Sequence, residues 1–191
     1  MIAGILLAAG AGIRFGGRKL LHRLPGGIPV GLAALRNVAA ALPQVVIVVR
    51  PGDEELRQLL AREPVRVIEC AKAECGMGHS LAAGVAAERG ADGWVIALAD
   101  MPLIRPDTIR AVARALEQGA QLVVPVFAGE RGHPVGFGRQ FRDQLLALSG
   151  DTGARGIVNA NPAVLHPLEV DDPGVVQDVD TPADAERLAR S

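Results

Sequence analysis

Short, uninterrupted apolar runs recur along the chain and alternate with segments of helical periodicity. The runs cover residues 2–7, 45–49, 94–99 and 122–126. Strands that are apolar at every position are buried on both faces, as in parallel sheets covered by helices on each side. The alternation therefore predicts an α/β protein, a three-layer α/β/α sandwich with a mostly parallel sheet. No linker-like segment or repeat interrupts the pattern, so we expect one domain over residues 1–191.

The same patterns predict the remaining elements. Two more strands are expected at 65–68 and 165–170, a strand-like stretch near 135–137, and a short hairpin over 20–30, where glycine and proline break any helix. Helices are predicted over 31–42, 53–62, 107–118, 139–148, 150–159 and 183–190, and another opens within 74–80 and runs to 88.

The composition excludes several classes of protein. Of the 191 residues, 49% are apolar, which is enough to bury a full α/β core. A net charge of −1 argues against general nucleic-acid binding. Cys70 and Cys75 are too few for a disulfide framework, and their spacing matches no common zinc site. Because the sequence has no signal-like segment and no long uncharged apolar span, we expect a soluble cytoplasmic protein without a membrane partner.

The first apolar run leads into a glycine-rich turn that carries three cations, Arg14, Arg18 and Lys19. Glycines let backbone N–H groups approach an anion closely, because no Cβ stands in the way. A strand, a glycine turn and fixed positive charge together predict a triphosphate site. The alternative is a plain connection between a strand and a helix.

Two familiar phosphate loops do not fit this turn. A P-loop requires a serine or threonine after its lysine, whereas Leu20 follows Lys19. A dinucleotide fingerprint requires a third glycine where this chain has Phe15.

Asp100 directly follows the apolar run 94–99. Open α/β sheets bind their ligands at the carboxyl ends of the strands, which makes this carboxylate a candidate ligand-binding group. It could instead cap the next helix, but Asp107, beside Thr108, is better placed to do that. Asp100 is thus left without a structural role.

Other candidate polar residues have a structural explanation as well as a functional one. Asp178 and Asp180 alternate on an extended segment, so both side chains point to one side. Asp180 could also be the N-cap of the last helix, a role that Thr181 fills equally well. Ser80 lies near a helix start and could be an N-cap. His133 lies in a glycine-rich loop, where a histidine is more often a surface residue.

Several separate segments, in the right order, resemble the motifs of nucleotidyltransferases with a glycosyltransferase-A-like, Rossmann-like fold. The resemblance is closest to the MobA/MocA group of molybdenum cofactor nucleotidyltransferases. The segments are LAAGAGIRFGGRK (7–19), ECGMGHS (74–80), LADMP (98–102), GERGHPVGF (129–137), GDTGAR (150–155) and DVDTPAD (178–184). The first segment departs from the family pattern at Gly12 and Phe15, where serine and methionine are usual.

The resemblance implies a nucleotidyl transfer that depends on Mg²⁺ as cofactor. Asp100 and Asp180 would hold the metal, with Asp178 as second choice. The implied nucleotide-binding residues are Leu7, Ala8, Ala9, Gly10, Gly12, Arg14, Lys19, Gly78, Ser80 and Asp100. Of these, Arg14, Lys19 and Asp100 would be catalytic. The implied acceptor-binding residues are Arg131, His133, Asp151 and Arg155.

The resemblance also indicates the substrates. Leu7-Ala8-Ala9-Gly10 is the form typical of the cytidylyl branch, whereas the guanylyl branch usually has LAGG. We therefore expect transfer of CMP from CTP to the phosphate of molybdopterin, with a transient contact to a molybdoenzyme or its chaperone. The alternatives are a guanylyltransferase that uses GTP, a nucleotidyltransferase for a sugar phosphate or another small phosphate, and a non-catalytic nucleotide-binding module.

Overall fold

The computed structural model describes residues 1–10, 15 and 18–187, and within them eight strands form one sheet. The strands are β1 (Ile2–Leu7), β2 (Val45–Val49), β3 (Arg66–Glu69), β4 (Gly93–Leu98), β5 (Leu122–Phe127), β6 (Glu130–Arg131), β7 (Val135–Gly138) and β8 (Leu165–Glu169). Every residue of β1 and β2 is buried, as their uninterrupted apolar runs predict.

The sheet has a parallel block and a mixed block. β1 lies between β2 and β4, and β3 extends this parallel block beyond β2. On the other side of β4, β7 runs antiparallel between β4 and β5. β5 also pairs in parallel with β8 and antiparallel with β6. The order is therefore β3-β2-β1-β4-β7-β5-β6, with β8 paired to β5.

Helices cover both faces of this sheet. They are α1 (Val30–Ala41), α2 (Glu54–Leu60), α3 (Met77–Ala87), α4 (Pro106–Glu117), α5 (Arg142–Leu146), α6 (Arg155–Ala160) and α7 (Pro182–Arg187). In the described part of the chain, no helix is both long and apolar enough to cross a membrane.

Two hydrophobic cores lie on opposite sides of the sheet, because successive side chains of a strand point to opposite faces. Leu6 of β1 packs in the core that α1, α2 and α4 cover. Its neighbour Ile5 packs in the core under α3, α5 and α6. The prediction of a three-layer α/β/α sandwich is confirmed.

Three predicted elements differ in the structure. The expected hairpin over 20–30 is a short 3₁₀ turn at Lys19–Leu21, followed by a single antiparallel bridge between Arg23 and Pro29. The helix expected over 139–148 begins as a 3₁₀ turn, and α5 is its only α-helical part. The helix expected from residue 150 starts at Arg155, because the chain first makes a separate 3₁₀ turn at Gly150–Thr152.

The expectation that Asp107 caps α4 is wrong, because Asp107 is the second residue of the helix and Arg105 is its N-cap residue. A distant carboxylate binds this end of α4 instead. One carboxylate oxygen of the buried Asp172 accepts from the N–H of Arg105 at 2.9 Å and from the hydroxyl of Thr108 at 2.6 Å. Its other oxygen accepts from the N–H of Gly174 at 3.0 Å. Asp172 thereby ties the start of α4 to the segment that leads to α7.

The structure also decides the two other capping questions. Ser80 is the fourth residue of α3, which starts at Met77, so its hydroxyl is not an N-cap. Thr181 caps α7 in a reciprocal pair of hydrogen bonds with Asp184. The N–H of Thr181 donates to the Asp184 carboxylate at 2.7 Å, and the N–H of Asp184 donates to the hydroxyl oxygen of Thr181 at 3.2 Å.

Candidate functional site

The candidate site lies at the sheet edge where β1, β2 and β4 end. Leu7, the last residue of β1, is level with Val48 of β2 and Leu98 of β4. The N–H of Ala8 donates to the carbonyl of Val48 at 2.8 Å, which keeps the chain after β1 beside β2. The start of the glycine turn and Asp100 therefore leave the sheet side by side, as the strand-end argument predicts.

The C-terminal acidic segment meets Asp100 at this edge. The N–H of Val179 donates to the carbonyl of Asp100 at 2.9 Å, and the two neighbours of Val179 are Asp178 and Asp180. Burial raises the pKa of the Asp178 carboxyl, and the charges of Asp180 and Asp100 raise it further. The structure thus brings Asp178 and Asp180 to Asp100, which lies far earlier in the sequence.

Lys19 joins two of these carboxylates. Its Nζ donates to Oδ2 of Asp100 at 2.7 Å and to Oδ1 of Asp180 at 3.0 Å. The Lys19 side chain is 13% exposed, and each of the two carboxylate side chains is 25% exposed. Burial lowers the pKa of Lys19, but the hydrogen bonds and charges of Asp100 and Asp180 outweigh it, so the pKa is raised overall. The ammonium group is therefore a fixed cation between the two acids.

The ammonium group of Lys19 lies where Asp100 and Asp180 would hold a metal ion. Both carboxylates already share one cation, so a divalent ion would meet two hard oxygen ligands there. Within residues 1–10, 15 and 18–187, no three His, Cys, Asp or Glu side chains are arranged to hold a metal ion. Two carboxylates are nevertheless a common protein contribution to a divalent-metal site whose other ligands are substrate phosphates and water.

A first cavity of about 450 Å³ opens beside these acids. The predicted nucleotide-binding residues that line it are Leu7, Ala8, Ala9, Gly10, Lys19, Ser80 and Asp100. Arg50, Glu74 and Asp151 also line it. The predicted residues Gly12 and Arg14 lie outside the described part of the chain.

Sequence reasoning missed Arg50 in this cavity, although a signal was available. Arg50 directly follows β2, as Asp100 follows shortly after β4, so the strand-end argument applies to both. Its guanidinium lies 3.8 Å from the carboxylate of Asp53, and its side chain is 34% exposed. Arg50 adds a second described cation, besides Lys19, to the wall of the first cavity.

A second cavity, of about 530 Å³, adjoins the first, and the two share Leu7, Met77 and Leu98 as walls. Its polar lining consists of Arg131, His133, Arg155 and Asn159. The remaining lining is mostly aliphatic and aromatic. Three of the four predicted acceptor-binding residues thus lie together, while the fourth, Asp151, lines the first cavity.

His133 is half-buried in the wall of the second cavity. Burial lowers the pKa of its imidazole, although the charge of Asp100 and a backbone hydrogen bond at Ile96 act in the opposite direction. Its Nδ1 is buried and has no hydrogen-bond partner among the described residues. The surroundings of the His133 ring therefore favour its neutral form.

The start of α3 packs tightly against Ser149 and Gly150, in the segment that precedes α6. Gly78 packs against the backbone of Ser149, where a Cβ would lie 2.8–2.9 Å from backbone atoms. Gly76, with a φ of 116°, packs equally closely against the backbone of Gly150. Gly78 is therefore needed for packing, and the loop that it contacts carries Asp151 to the first cavity and, at the start of α6, Arg155 to the second.

Comparison with known proteins gives matches over most of the chain. Residues 4–165 match the model of the MobA-like NTP transferase domain, so Asp180 lies beyond the matched part. Purine catabolism protein PucB of Bacillus subtilis is 32% identical, over 100% of this chain and 97% of its own length. Rv0371c of Mycobacterium tuberculosis H37Rv is 30% identical, and its crystal structure aligns with a TM-score of 0.84 over 100% of this chain and 97% of that chain. A structure of Rv0371c with manganese is 29% identical and aligns with a TM-score of 0.81, over 100% of this chain and 98% of that chain.

Proposed function

Because the chain belongs to the family of MobA-like NTP transferase domains, we propose that it transfers CMP from CTP to the phosphate of molybdopterin. The observation that carries this proposal is a first cavity lined by Asp100, which shares the ammonium group of Lys19 with Asp180, together with a second cavity that adjoins it. A donor in one cavity and an acceptor in the other would have their phosphates near the same two acids. Such juxtaposition is the main requirement of a phosphoryl-type transfer.

The first cavity suits the triphosphate donor. It combines the start of the glycine turn, at Gly10, with the cations of Lys19 and Arg50. Arg14 of the same turn would add a further cation. Backbone N–H groups and fixed positive charge are the features that stabilise a triphosphate and a departing pyrophosphate.

The second cavity suits an acceptor that has both an apolar body and an anionic group. Its walls are largely apolar, whereas Arg131 and Arg155 supply positive charge. A guanidinium group pairs well with phosphate, because its planar fork matches two phosphate oxygens. Molybdopterin, a ring system with a terminal phosphate, has this combination.

The reaction needs no strong base, because a phosphate monoester is already ionised near neutral pH. An acceptor phosphate oxygen would attack the α-phosphorus of CTP and form a new P–O bond. The bond between the α-phosphorus and the α,β-bridging oxygen would break, and its electron pair would leave with pyrophosphate. Asp100 and Asp180 would hold Mg²⁺, which supplies positive charge to the phosphate oxygens of both substrates. The similar protein Rv0371c has a structure in complex with manganese, which supports a divalent metal for this chain.

Ala9 supports CTP as the preferred donor. It lines the first cavity and is buried, so its methyl group occupies space that a larger base would need. One methyl group in a binding pocket typically changes selectivity by about 10- to 200-fold. Ala9→Gly should therefore raise kcat/KM for GTP relative to CTP, and an unchanged ratio would remove Ala9 as the selector.

The test of the proposed function is pyrophosphate release with molybdopterin as acceptor, measured separately with CTP, GTP, ATP and UTP in the presence of Mg²⁺. We expect release that requires the acceptor and is fastest with CTP. Faster release with GTP would overturn the choice of donor. Release with a sugar phosphate but not with molybdopterin would overturn the choice of acceptor, and binding of nucleotide without any release would indicate a non-catalytic module.

A further inference from the structure

Lys19 occupies the position that the proposed function gives to a metal ion. Its Nζ lies 2.7 Å from Asp100 and 3.0 Å from Asp180, which are hydrogen-bonding distances to both acids at once. The same residue lines the first cavity, where the triphosphate is proposed to bind. The ammonium group of Lys19 can therefore pair either with the two carboxylates or with the phosphates of the proposed triphosphate.

A divalent cation and this ammonium group compete for the carboxylate pair. Both are positive, and at a partly buried site their repulsion is weakly screened by solvent. Binding of the metal to Asp100 and Asp180 therefore favours the departure of Lys19. When Lys19 leaves without a new partner, it loses two charge-assisted hydrogen bonds.

We propose that Lys19 is an internal counter-cation that holds the metal site until a nucleoside triphosphate draws it away. This inference rests on the proposed function, which assigns the metal to Asp100 and Asp180. The triphosphate gives the ammonium group a new anionic partner within the same cavity, and the metal then takes the place of the ammonium group beside Asp100 and Asp180. Metal and nucleotide consequently bind with positive cooperativity, and by linkage each raises the affinity of the other by the same factor.

The local structure is suited to this exchange. Lys19 starts the short 3₁₀ turn Lys19–Leu21, and its long unbranched side chain can turn about its own bonds while the backbone stays in place. Leu20, the next residue, is buried in the core and anchors the turn. Arg50 lines the same cavity and would attract the phosphates toward Lys19.

The test is Mn²⁺ binding without nucleotide, measured from the electron paramagnetic resonance signal of the free ion. Lys19→Met keeps the length of the side chain but removes the competing charge, so we expect Mn²⁺ to bind at least about tenfold more tightly than in the wild type, within the usual range of coupling between sites. Lys19→Arg keeps the charge and should bind Mn²⁺ no more tightly than the wild type. Arg18→Met removes a neighbouring charge that pairs with the exposed Glu55, and it should change the affinity by less than about threefold.

A second measurement adds a non-hydrolysable CTP analogue and follows water-proton relaxation, which distinguishes protein-bound from nucleotide-bound Mn²⁺. The analogue should tighten Mn²⁺ binding in the wild type by a larger factor than in Lys19→Met. If Lys19→Met binds Mn²⁺ no more tightly than the wild type without nucleotide, the exchange is wrong even if the metal site is correct. If Asp100→Asn leaves Mn²⁺ binding unchanged with the analogue present, the metal assignment of the proposed function is wrong.

Discussion

Replacing Asp172 by alanine should destabilise the protein strongly, although this residue lies outside both cavities. Asp172 is 2% exposed and accepts three hydrogen bonds, from Arg105, Thr108 and Gly174. The hydrogen bonds to the N–H of Arg105 and to the hydroxyl of Thr108 contribute about 0.5–1.5 kcal/mol each. The N–H of Gly174, buried and left without an acceptor, adds about 1–3 kcal/mol. We therefore expect a decrease of about 2–6 kcal/mol in the free energy of unfolding.

Urea denaturation followed by circular dichroism measures this decrease, and thermal unfolding gives a second estimate. For a protein of this size, each kcal/mol lowers Tm by about 2–4 °C, so the variant should melt about 4–24 °C below the wild type. Asp107→Ala is the matched control, because Asp107 lies in the first turn of the same helix with its side chain 89% exposed. A loss below about 1 kcal/mol for Asp172→Ala, or an equal loss for Asp107→Ala, would refute the role of Asp172 in holding the start of α4.

Three further predictions concern the site. Asp100→Asn should lower kcat/KM by at least about 100-fold, the scale of one lost charge-stabilising group, while circular dichroism stays unchanged; near-normal turnover would contradict its role. Arg50→Met should raise KM for CTP about tenfold through the loss of one charge-assisted phosphate contact, whereas Arg57→Met, which removes an exposed arginine paired with Glu54, should not; equal effects would indicate general electrostatics. Burial lowers the pKa of folded His133, so below about pH 6.5 the unfolded chain binds a proton that the folded chain does not, and stability falls as the pH falls. Urea denaturation at pH 7.5 and 5.5 should show a larger loss in the wild type than in His133→Gln, by up to about 1.4 kcal/mol per pH unit, and identical losses would contradict this.

Most of the parallel block could be predicted from the sequence, because β1, β2 and β4 are buried on both faces and leave uninterrupted apolar runs. β1 and β2 have the predicted bounds for this reason. The position of Asp100 at the site could also be predicted, since it follows a strand of the parallel block and that argument needs no contacts. The same argument predicts Arg50 at the site, because Arg50 directly follows β2.

The remaining features depend on contacts between distant segments, for which no local pattern exists. The antiparallel insertion of β7 between β4 and β5 is set by pairing across the sheet. Asp172 binds the start of a helix that begins 66 residues earlier in the chain, whereas local capping rules favoured Asp107. The bond between Lys19 and Asp180 spans 161 residues, and only the fold brings these charges together.

The most direct test of nucleotidyl transfer uses CTP labelled with ³²P at either the α or the γ position, in the presence of Mg²⁺ and molybdopterin. The measurement is the product in which each label appears. If the two cavities bring an acceptor phosphate to the α-phosphorus, α-label should appear in the molybdopterin product and γ-label in pyrophosphate, in equal amounts. Transfer of γ-label to the acceptor, or release of α-labelled CMP with the acceptor unchanged, would contradict nucleotidyl transfer at this site.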